Sequence, residues 1–342
     1  MSNQLGSNNN VWCGRPVLVT GASGFFGRWL SRRLQMAGAE LVCVTRNRIH
    51  GNELLLSDAR YRIALGDICD REWIEQTIGK YKIDVVFHLA AQAIAGTANG
   101  DPVPAFETNI GGTWNVLEAC RRSPGVSGVL LASSHQVYGN QGQAVCTEDT
   151  PLRARHPYGV SKSCGEMIAQ AYAKTYGLPV AVARWGNLYG GGDLNQSRIV
   201  PGTIQSVLRA ERPIIRSDGK SLRDYMYVED SAAGFMVLAE GLIANRDLRG
   251  EAFNFSNEDP TSALDLANRI LRRMNSPLAP DVRGEASGDH LDQYISAARA
   301  RKELGWTPSF TLDAGLDRTI AWYREFLTSS PQGSGANASR NT

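Results

Sequence analysis

The sequence predicts an α/β protein in which a doubly wound parallel sheet is followed by a smaller C-terminal lobe. Short apolar runs of strand character alternate with segments whose apolar residues recur at helical spacing, a pattern typical of strands wrapped by helices. A glycine-rich turn follows the first apolar run. After the three glycines at 190–192, shorter elements with more Arg, Asp and Pro indicate a second, less regular lobe.

The elements follow one another in the order that a parallel sheet requires. Strands are predicted from apolar runs bounded by turn residues, at 16–20, 40–45, 61–65, 84–89, 129–132 and 180–184. Helices are predicted between them from apolar residues three or four apart, at 28–37, 70–80, 105–122 and 157–175. The smaller lobe is expected to contain two helices and one further segment, at 201–210, 262–274 and 223–228.

Composition and charge exclude several classes of protein. The 36 Lys and Arg residues nearly balance 34 Asp and Glu residues, and a formal charge of +2 is far from the basic excess of nucleic-acid-binding proteins. No apolar run reaches the roughly 18 residues of a membrane span, and the first residues lack the features of a signal peptide. We therefore expect a cytoplasmic protein without nucleic-acid or membrane partners. The scattered cysteines and histidines predict free thiols and no metal site.

Gly21, Gly24 and Gly27 form a GxxGxxG turn between a predicted strand and a predicted helix. Glycines allow the backbone to turn sharply and to approach a pyrophosphate, and the helix N-terminus offers N–H groups to its oxygens. The strand–turn–helix context disfavours the alternative of an ordinary glycine-rich turn. The sequence therefore predicts a Rossmann-type dinucleotide-binding domain at 11–187, a mainly substrate-binding lobe at 188–328, and disordered ends at 1–10 and 329–342.

Residues after the second and third strands bear on the choice between NAD and NADP. An acidic residue at the end of the second strand would hold the ribose hydroxyls of NAD, whereas this chain has Arg46 there. Arginine suits a 2′-phosphate, so the sequence slightly favours NADP, with a solvated basic turn as the alternative. Asp67, after the third strand, is a candidate acceptor for the adenine amino group or, alternatively, a helix N-cap.

Three residues form a candidate catalytic set. Ser134 lies just after the predicted fifth strand, and Tyr158 and Lys162 are four residues apart on one face of a predicted helix. The lysine ammonium is expected to lower the pKa of the neighbouring phenol towards the working range. Tyr158 would then act as the general base for a sugar hydroxyl while hydride leaves the same carbon, and Ser134 can hydrogen-bond that oxygen. An ordinary exposed helix face is the alternative, and the phosphate loop disfavours it.

Together these motifs resemble those of extended short-chain dehydrogenases/reductases in the nucleotide-sugar epimerase/dehydratase branch. The resemblance covers residues 15–325. Besides the glycine loop and the catalytic set, it is carried by GDI at 66–68, HLAAQ at 88–92, Asn109, RWGNLYG at 184–190 and RDYMYVED at 223–230. The stretch 187–230, with its GGGDLN and RIVPG, is similar to CDP-glucose 4,6-dehydratases.

The resemblance implies a first chemical step. Tyr158 would remove the C4 hydroxyl proton while the bound oxidised nicotinamide takes the C4 hydride, which leaves a 4-keto sugar. Ser134 would hold the C4 oxygen, and Lys162 would also hold the nicotinamide ribose. The substrate diphosphate is expected at Asn187, Arg198 and Arg223. A surface salt bridge with a nearby Asp is the alternative for the last of these.

The resemblance also implies a set of residues that bind the dinucleotide. They lie in the glycine loop, at the ends of the strands and in the catalytic helix. The set is Gly21, Gly24, Phe25, Phe26, Gly27, Arg46, Asp67, Ile68, Leu89, Ala90, Gln92, Asn109, Tyr158 and Lys162.

The sequence departs from the 4,6-dehydratase pattern directly after Ser134. The resembling dehydratases carry an Asp and then a Glu or Lys, which protonate the leaving C6 hydroxyl and help remove the C5 proton. Here the two positions hold His135 and Gln136. Glutamine cannot titrate, whereas His135 could supply a proton near neutral pH or only shape the pocket.

This departure decides the order of the functional hypotheses. Epimerisation comes first, because it needs only the serine, the tyrosine and the lysine. The alternatives are dehydration with His135 as the acid, simple reduction with exchange of cofactor, and a non-catalytic NAD(P)-binding sensor. In the resembling enzymes, the helices corresponding to 105–122 and 157–175 build a four-helix interface, so we also expect a homodimer.

Overall fold

The computed structural model describes residues 10–47, 61–142, 144–285 and 294–329. Its strands are β1 (Pro16–Thr20), β2 (Glu40–Thr45), β3 (Tyr61–Leu65), β4 (Val85–His88), β5 (Gly128–Ser134), β6 (Val180–Trp185), β7 (Asn187–Tyr189), β8 (Ile214–Ile215), β9 (Leu222–Arg223), β10 (Tyr225–Tyr227), β11 (Ala252–Phe255), β12 (Thr261–Ser262) and β13 (Asp281–Val282). Its helices are α1 (Phe25–Met36), α2 (Arg71–Lys80), α3 (Ala95–Gly100), α4 (Val103–Phe106), α5 (Gly112–Arg121), α6 (Pro157–Tyr176), α7 (Ile199–Leu208), α8 (Val228–Ala244), α9 (Ala263–Arg273), α10 (Ala298–Leu304) and α11 (Leu312–Ser329).

A seven-stranded parallel sheet forms the centre of the molecule. Its strand order is β11-β6-β5-β4-β1-β2-β3, and each neighbouring pair is parallel. The order reverses between β1 and β4, which places a crevice at the carboxyl ends of these strands. The predicted doubly wound fold is confirmed, and the six predicted strands are all present. The sequence pattern does not predict the seventh strand, β11, which pairs with β6.

Helices cover both faces of this sheet. On one face, α1 and α8 contribute Leu30 and Phe235 to an apolar core that also includes the sheet. On the other face, α2, α5 and α6 contribute Ile74, Val116 and Ala169 to a second core. Burial of these two layers is the main source of the free energy that stabilises the sheet.

Helix α1 begins at Phe25, three residues before the predicted start at residue 28. Gly24 adopts an extended conformation as its N-cap, so the chain becomes helical as soon as the glycine turn ends. The helix ends just before Gly38, whose φ of +91° favours a residue without a Cβ atom. The earlier start brings the N-terminal N–H groups of α1 up to the glycine loop.

The predicted helix at 105–122 is not a single regular α-helix. A π-helical turn at Glu107–Gly111 separates α4 from α5. Such turns are rare and frequently occur at functional sites. Here the turn contains Asn109, which is buried.

The smaller lobe is built from α7, α9 and α11 around a third apolar cluster that includes Ile204, Ile270 and Leu316. The predicted helices at 201–210 and 262–274 correspond to α7 and α9. The predicted segment at 223–228 becomes the end of β9, then β10 and the start of α8.

The larger lobe also draws α8 and β11 from beyond residue 188. The division of the chain at 187/188 stays a prediction. The predicted disordered ends fall outside the described residues, except for residue 10 and residue 329, which ends α11. Among the described residues, no helix is both long and apolar enough to cross a membrane.

Candidate active site

A cavity of about 830 Å³ lies at the carboxyl ends of the central strands and is lined by both lobes. Most of the residues singled out from the sequence line it. From the dinucleotide set these are Gly21, Gly24, Phe25, Phe26, Gly27, Arg46, Asp67, Ile68, Leu89 and Ala90. From the catalytic and substrate sets they are Ser134, His135, Tyr158, Lys162, Asn187, Arg198 and Arg223. Gln92 and Asn109 are set back from this lining.

The glycine loop forms a cradle that fits a pyrophosphate. Gly21 has φ +71°, and a Cβ atom there would lie 2.8 Å from the backbone nitrogen of Ala90. A Cβ atom at Gly27 would collide with the carbonyl oxygen of Gly21. No side chain caps α1, so its first N–H groups are available to phosphate oxygens. The loop therefore fits the pyrophosphate of a dinucleotide, as the sequence predicts.

The part of the cavity wall that follows β2 and β3 presents one cation and one anion. Arg46 is exposed directly after β2, and Asp67 follows β3. One carboxylate oxygen of Asp67 accepts the backbone N–H of Cys69 at 2.9 Å. The N-cap of α2 is instead Asp70, which accepts the backbone N–H of Trp73. The N-cap alternative for Asp67 is therefore wrong, and its role towards adenine stays a prediction.

Strand β5 and helix α6 bring the three predicted catalytic residues together. Ser134 ends β5, and its hydroxyl accepts the backbone N–H of Gln136 at 3.2 Å, which caps a short 3-10 turn. Pro157 occupies the first turn of α6, where its missing N–H costs no hydrogen bond. This start places Tyr158 at the cavity, where it hydrogen-bonds Ser134. Lys162 lies one turn further along the helix.

The expectation that the pKa of Tyr158 is lowered is wrong for this structure. Burial raises the pKa of this phenol, while the hydrogen bond with Ser134 and the positive charge of Arg198 oppose the rise. Burial also lowers the pKa of Lys162 to about 8, and its ammonium donates to the carbonyl oxygen of Ala132 at 2.9 Å. The expectation considered only the lysine charge, whereas burial penalises the charged forms of both side chains.

His135 and Gln136 line the cavity beside Ser134. The Nδ1 atom of His135 lies 2.9 Å from the carbonyl oxygen of Trp185, which can only accept a hydrogen bond. Nδ1 must therefore carry a proton, and Nε2 is the atom at which this ring gains or loses one. The half-buried Gln136 offers an amide, which can hydrogen-bond a substrate but cannot exchange a proton with it.

A buried polar chain beneath the site centres on His88, which the sequence motif contains but to which no role was assigned. Thr20 donates to Nδ1 of His88 at 2.8 Å, and Nε2 donates to Thr113 at 3.0 Å. The Thr113 hydroxyl donates its single hydrogen to the carbonyl oxygen of Asn109 at 2.6 Å, so it can only accept from Nε2 of His88. Nδ1 of the neutral ring is then the atom that accepts from Thr20. Burial and the positive charge of Lys162 lower the pKa of His88 to about 3. The imidazole is therefore neutral.

Asn109 continues this chain towards the catalytic helix. Its amide donates to the Ser161 hydroxyl at 2.9 Å and to the carbonyl oxygen of Gln92 at 3.2 Å. Its carbonyl oxygen accepts the backbone N–H of Gln92 at 2.7 Å. Ser161 in turn donates to the backbone carbonyl of Tyr158 at 2.7 Å. In this structure Asn109 connects the loop after β4 to α6, and direct contact with a dinucleotide stays a prediction.

The smaller lobe supplies two arginines to the cavity wall. Arg198 precedes α7 and forms an ion pair with Asp193 at 2.9 Å. Arg223 lies in β9. Asp230, the nearby Asp of the salt-bridge alternative, instead accepts the backbone N–H groups at 309 and 310 with its carboxylate. Ser217 and Ser221 also line the cavity, and no sequence motif marked them.

The fold, the glycine cradle and the Ser–Tyr–Lys set together define a dinucleotide-dependent enzyme. The model of the NAD dependent epimerase/dehydratase family matches residues 17–254, well over half of the chain. The protein belongs to this family, and the resemblance to extended short-chain dehydrogenases/reductases is confirmed.

Relatives of known activity match over nearly their whole length. The dTDP-glucose 4,6-dehydratase of Neisseria meningitidis is 29% identical, over 92% of this chain and 94% of its own. The CDP-glucose 4,6-dehydratase of Salmonella typhimurium is 27% identical, over 94% of this chain and 93% of its own. The protein is thus an enzyme of the NAD-dependent nucleotide-sugar dehydratase and epimerase kind.

Solved structures of both reaction types share the fold. The UDP-glucose 4-epimerase of Thermotoga maritima, solved with UDP-glucose, has a TM-score of 0.83 and 26% identity, and the match covers 91% of this chain and 99% of that one. The dTDP-glucose 4,6-dehydratase of Bacillus anthracis, solved with NAD, has a TM-score of 0.81 and 25% identity, with coverage of 92% and 98%.

Proposed function

We propose that the protein oxidises C4 of a nucleotide-linked hexose transiently and returns the hydride to the opposite face, so that the net reaction is C4 epimerisation. The observation that carries this proposal is the composition of the cavity wall beside the reacting groups. Ser134, Tyr158 and Lys162 are assembled there, and the side chain that follows His135 is an amide. Oxidation at C4 needs only the first three residues, whereas dehydration also needs groups that move protons at C5 and C6.

Within this proposal Tyr158 takes the proton of the C4 hydroxyl, and Ser134 orients the same oxygen. When bound, the oxidised nicotinamide of NAD(P) accepts the C4 hydride and later returns it. Because burial raises the pKa of Tyr158, the phenol needs positive charge nearby to give up its proton. Lys162 and Arg198 provide it from the two lobes, and the ion pair with Asp193 keeps Arg198 in place.

The substrate diphosphate is assigned to the arginine end of the cavity. Arg198 and Arg223 offer planar, bidentate donors, and Asn187 adds an amide between them and the catalytic set. A sugar attached to a diphosphate at this end would extend towards Ser134 and Tyr158.

A 4,6-dehydratase is the second candidate, and two observations favour it. His135 is only 4% exposed and lines the cavity next to Ser134, which suits a proton donor. The two curated relatives described above are 4,6-dehydratases. Under this alternative His135 would protonate the leaving C6 hydroxyl from Nε2, and the same ring would have to serve the C5 proton as well.

For the cofactor we propose a slight preference for NADP over NAD, retained through the catalytic cycle. The supporting observation is the position of Arg46, which lines the cavity at the end of β2, where a 2′-phosphate would lie.

We further propose a homodimer held together by α5 and α6. Trp114 on α5 and Met167 on α6 are 49% and 62% exposed, which is high for large apolar side chains. Tyr176, at the end of α6, is similarly exposed. Pairing of these helices between two protomers would cover all three side chains.

Incubation with a panel of UDP-, GDP-, CDP- and dTDP-hexoses, followed by mass and NMR analysis of the products, tests the proposed function. We expect one nucleotide hexose to yield a product of the same mass that is inverted at C4. A product lighter by one water would support the dehydratase, and a reduced product would indicate a reductase. Bound NAD(P) without turnover of any substrate would revive the sensor hypothesis.

A further inference from the structure

Glu166 is a fully buried carboxylate close to the catalytic set, and the mechanism above does not use it. It is 0% exposed, and it accepts hydrogen bonds from Arg184 at 2.7, 3.0 and 3.2 Å. The Ser133 hydroxyl donates to it as well. A buried charge of this kind is costly unless it is paired, and here the pairing is complete.

Glu166 extends the catalytic face of α6 by one more turn. Tyr158, Lys162 and Glu166 follow one another at four-residue spacing, so they share one side of the helix. Each of them is bonded to one of three consecutive residues at the end of β5. The phenol of Tyr158 hydrogen-bonds Ser134. The ammonium of Lys162 donates to the carbonyl oxygen of Ala132, and the carboxylate of Glu166 accepts from the Ser133 hydroxyl. Three contacts thus fix the helix against the strand.

The carboxylate also bears on the charge of Lys162. Burial lowers the pKa of Lys162, and the negative charge of Glu166 opposes that change. Tyr158 lies one turn before this lysine on its own helix, and the neutral His88 faces it from β4. Arg184 of β6 is paired with the carboxylate itself.

Arg184 is anchored independently of the carboxylate. Its guanidinium donates to the Tyr138 hydroxyl at 2.7 Å and to the carbonyl oxygen of Glu148 at 3.2 Å. Tyr138 donates onward to Asn254 of β11 at 2.7 Å. Arg184 is therefore fixed to the sheet by its other hydrogen bonds. Because Glu166 pairs with Arg184, its carboxylate is held at a fixed place in the fold and does not move with the side chain of Lys162.

We propose that Glu166 is a positioning residue for catalysis, which aligns α6 with the end of β5 and keeps Lys162 in its ammonium form. The inference rests on the proposed function in one respect, because the proposed function is what gives Lys162 a catalytic role. The ammonium is the form that can favour the phenolate of Tyr158. Without the carboxylate, burial would favour the neutral amine.

A titration of Lys162 tests this role without any turnover. The chain contains six lysines, so protein labelled with ¹³C at the lysine ε-carbon gives a simple NMR spectrum. The signal of Lys162 is assigned by its absence in Lys162→Arg. We expect its midpoint near pH 8 in the unaltered protein. In Glu166→Gln it should fall by about one pH unit, because an opposite charge has been removed. Glu166→Asp keeps the charge and should titrate close to the unaltered protein.

Two further variants complete the experiment. Glu251→Gln removes a carboxylate that pairs with Arg299 at 2.8 Å just before the edge strand β11, and should leave the midpoint unchanged. If Glu166→Gln does not fold because Arg184 is left unpaired, Glu166→Gln combined with Arg184→Met removes both charges. In this double variant the midpoint of Lys162 should also fall, but by less than in Glu166→Gln.

An unchanged midpoint for Lys162 in Glu166→Gln, or in the double variant if only that one folds, would overturn the proposal. A lowered midpoint in a protein that turns over no nucleotide sugar would instead contradict the proposed function and leave the role of Glu166 intact.

Discussion

The tyrosine proposed as the catalytic base lies in surroundings that oppose its ionisation. Tyr158 is 9% exposed and Lys162 is 8% exposed, so neither charged form is well solvated. The hydrogen bond from Ser134 and the charge of Arg198 counteract this burial. Reactivity at this residue therefore depends on a hydroxyl of the larger lobe and a charge of the smaller lobe, and the spacing of four residues in α6 is only part of the requirement.

Replacement of this tyrosine tests its role as the base. We expect Tyr158→Phe to lower turnover by roughly 10²–10⁴, because only the phenolic oxygen takes part in proton transfer. Thermal unfolding and bound dinucleotide should be nearly unchanged, since the ring stays in place. Tyr81→Phe, at the end of α2 and outside the cavity lining, is the matched control and should keep full activity. Turnover within threefold of normal in Tyr158→Phe would contradict the assignment.

The arginine after β2 determines the expected cofactor preference. If Arg46 meets a 2′-phosphate, the protein binds NADP more tightly than NAD, and Arg46→Ala loses about 1.5–3 kcal/mol of NADP affinity. Calorimetric titration with both dinucleotides measures the difference. Arg33→Ala removes an exposed arginine from α1 and should change neither affinity. Equal affinity of the unaltered protein for the two dinucleotides would show that Arg46 is only a solvated turn residue.

Residues whose role follows from spacing along the chain could be predicted from the sequence. Ser134, Tyr158 and Lys162 are of this kind, and the structure brings them together. His88 and Glu166 are not, because their roles depend on partners supplied by other elements and on complete burial. The raised pKa of Tyr158 was missed for the same reason, since sequence spacing reports neighbours along a helix and not solvation.

Among the elements, long periodic segments were predicted well and short or atypical ones were not. The six predicted strands stand out as apolar runs. Strand β11 has only four residues, and a long segment that includes part of the smaller lobe separates it from β6 in the sequence. Helix α8 is apolar on most of its surface, so it lacks a clear helical period. The π-helical turn before α5 was missed because an inserted residue leaves the apolar spacing on either side nearly intact.

The exposed apolar side chains on α5 and α6 predict that the protein is a homodimer. Light scattering coupled to size exclusion should give twice the mass of one chain. Trp114→Glu combined with Met167→Glu should give the monomer mass, because burying two carboxylates in an apolar interface is costly. Met36→Glu changes a methionine on α1 that is 77% exposed, and this variant should remain dimeric. A dimer that survives the double substitution would place the interface elsewhere.

At the scale of the whole molecule, the two lobes are joined around the cavity. Arg28 and Trp29 of α1 donate to the carbonyl oxygens of Gly192 and Gly191, at 2.9 and 2.7 Å. The helix that would receive the pyrophosphate is thereby bonded to the segment where the smaller lobe begins. Further along the chain, α8 and β11 return to the central sheet. The positions of Arg198 and Arg223 are thus fixed relative to the catalytic residues.

Burial of a neutral histidine makes the stability of the molecule sensitive to acid. The pKa of His88 is about 3 in the folded protein and has an ordinary value of 6.5, so the unfolded chain binds the extra proton first. The stabilisation is complete above pH 6.5 and is lost as the pH falls towards 3. We expect this residue to reduce the free energy of unfolding by about 2 kcal/mol between pH 7 and pH 5.

Urea unfolding at several pH values measures this effect. His88→Gln should be less stable at pH 7, but its free energy of unfolding should vary less between pH 7 and pH 5. His156→Gln, at an exposed position before α6, should keep the pH dependence of the unaltered protein. An unaltered protein and a His88→Gln variant with the same pH dependence would show that His88 is not held neutral.

Turnover in D₂O is the most direct test of the central claim that the cavity supports C4 epimerisation. Dehydration must lose the C6 oxygen as water and exchange the C5 hydrogen with solvent, whereas a hydride that leaves C4 and returns meets no solvent. We predict a C4-inverted product of unchanged mass, without carbon-bound deuterium, and little loss of rate in His135→Ala. A product lighter by one water with deuterium at C5, together with at least a tenfold loss in His135→Ala, would contradict the account and identify a dehydratase.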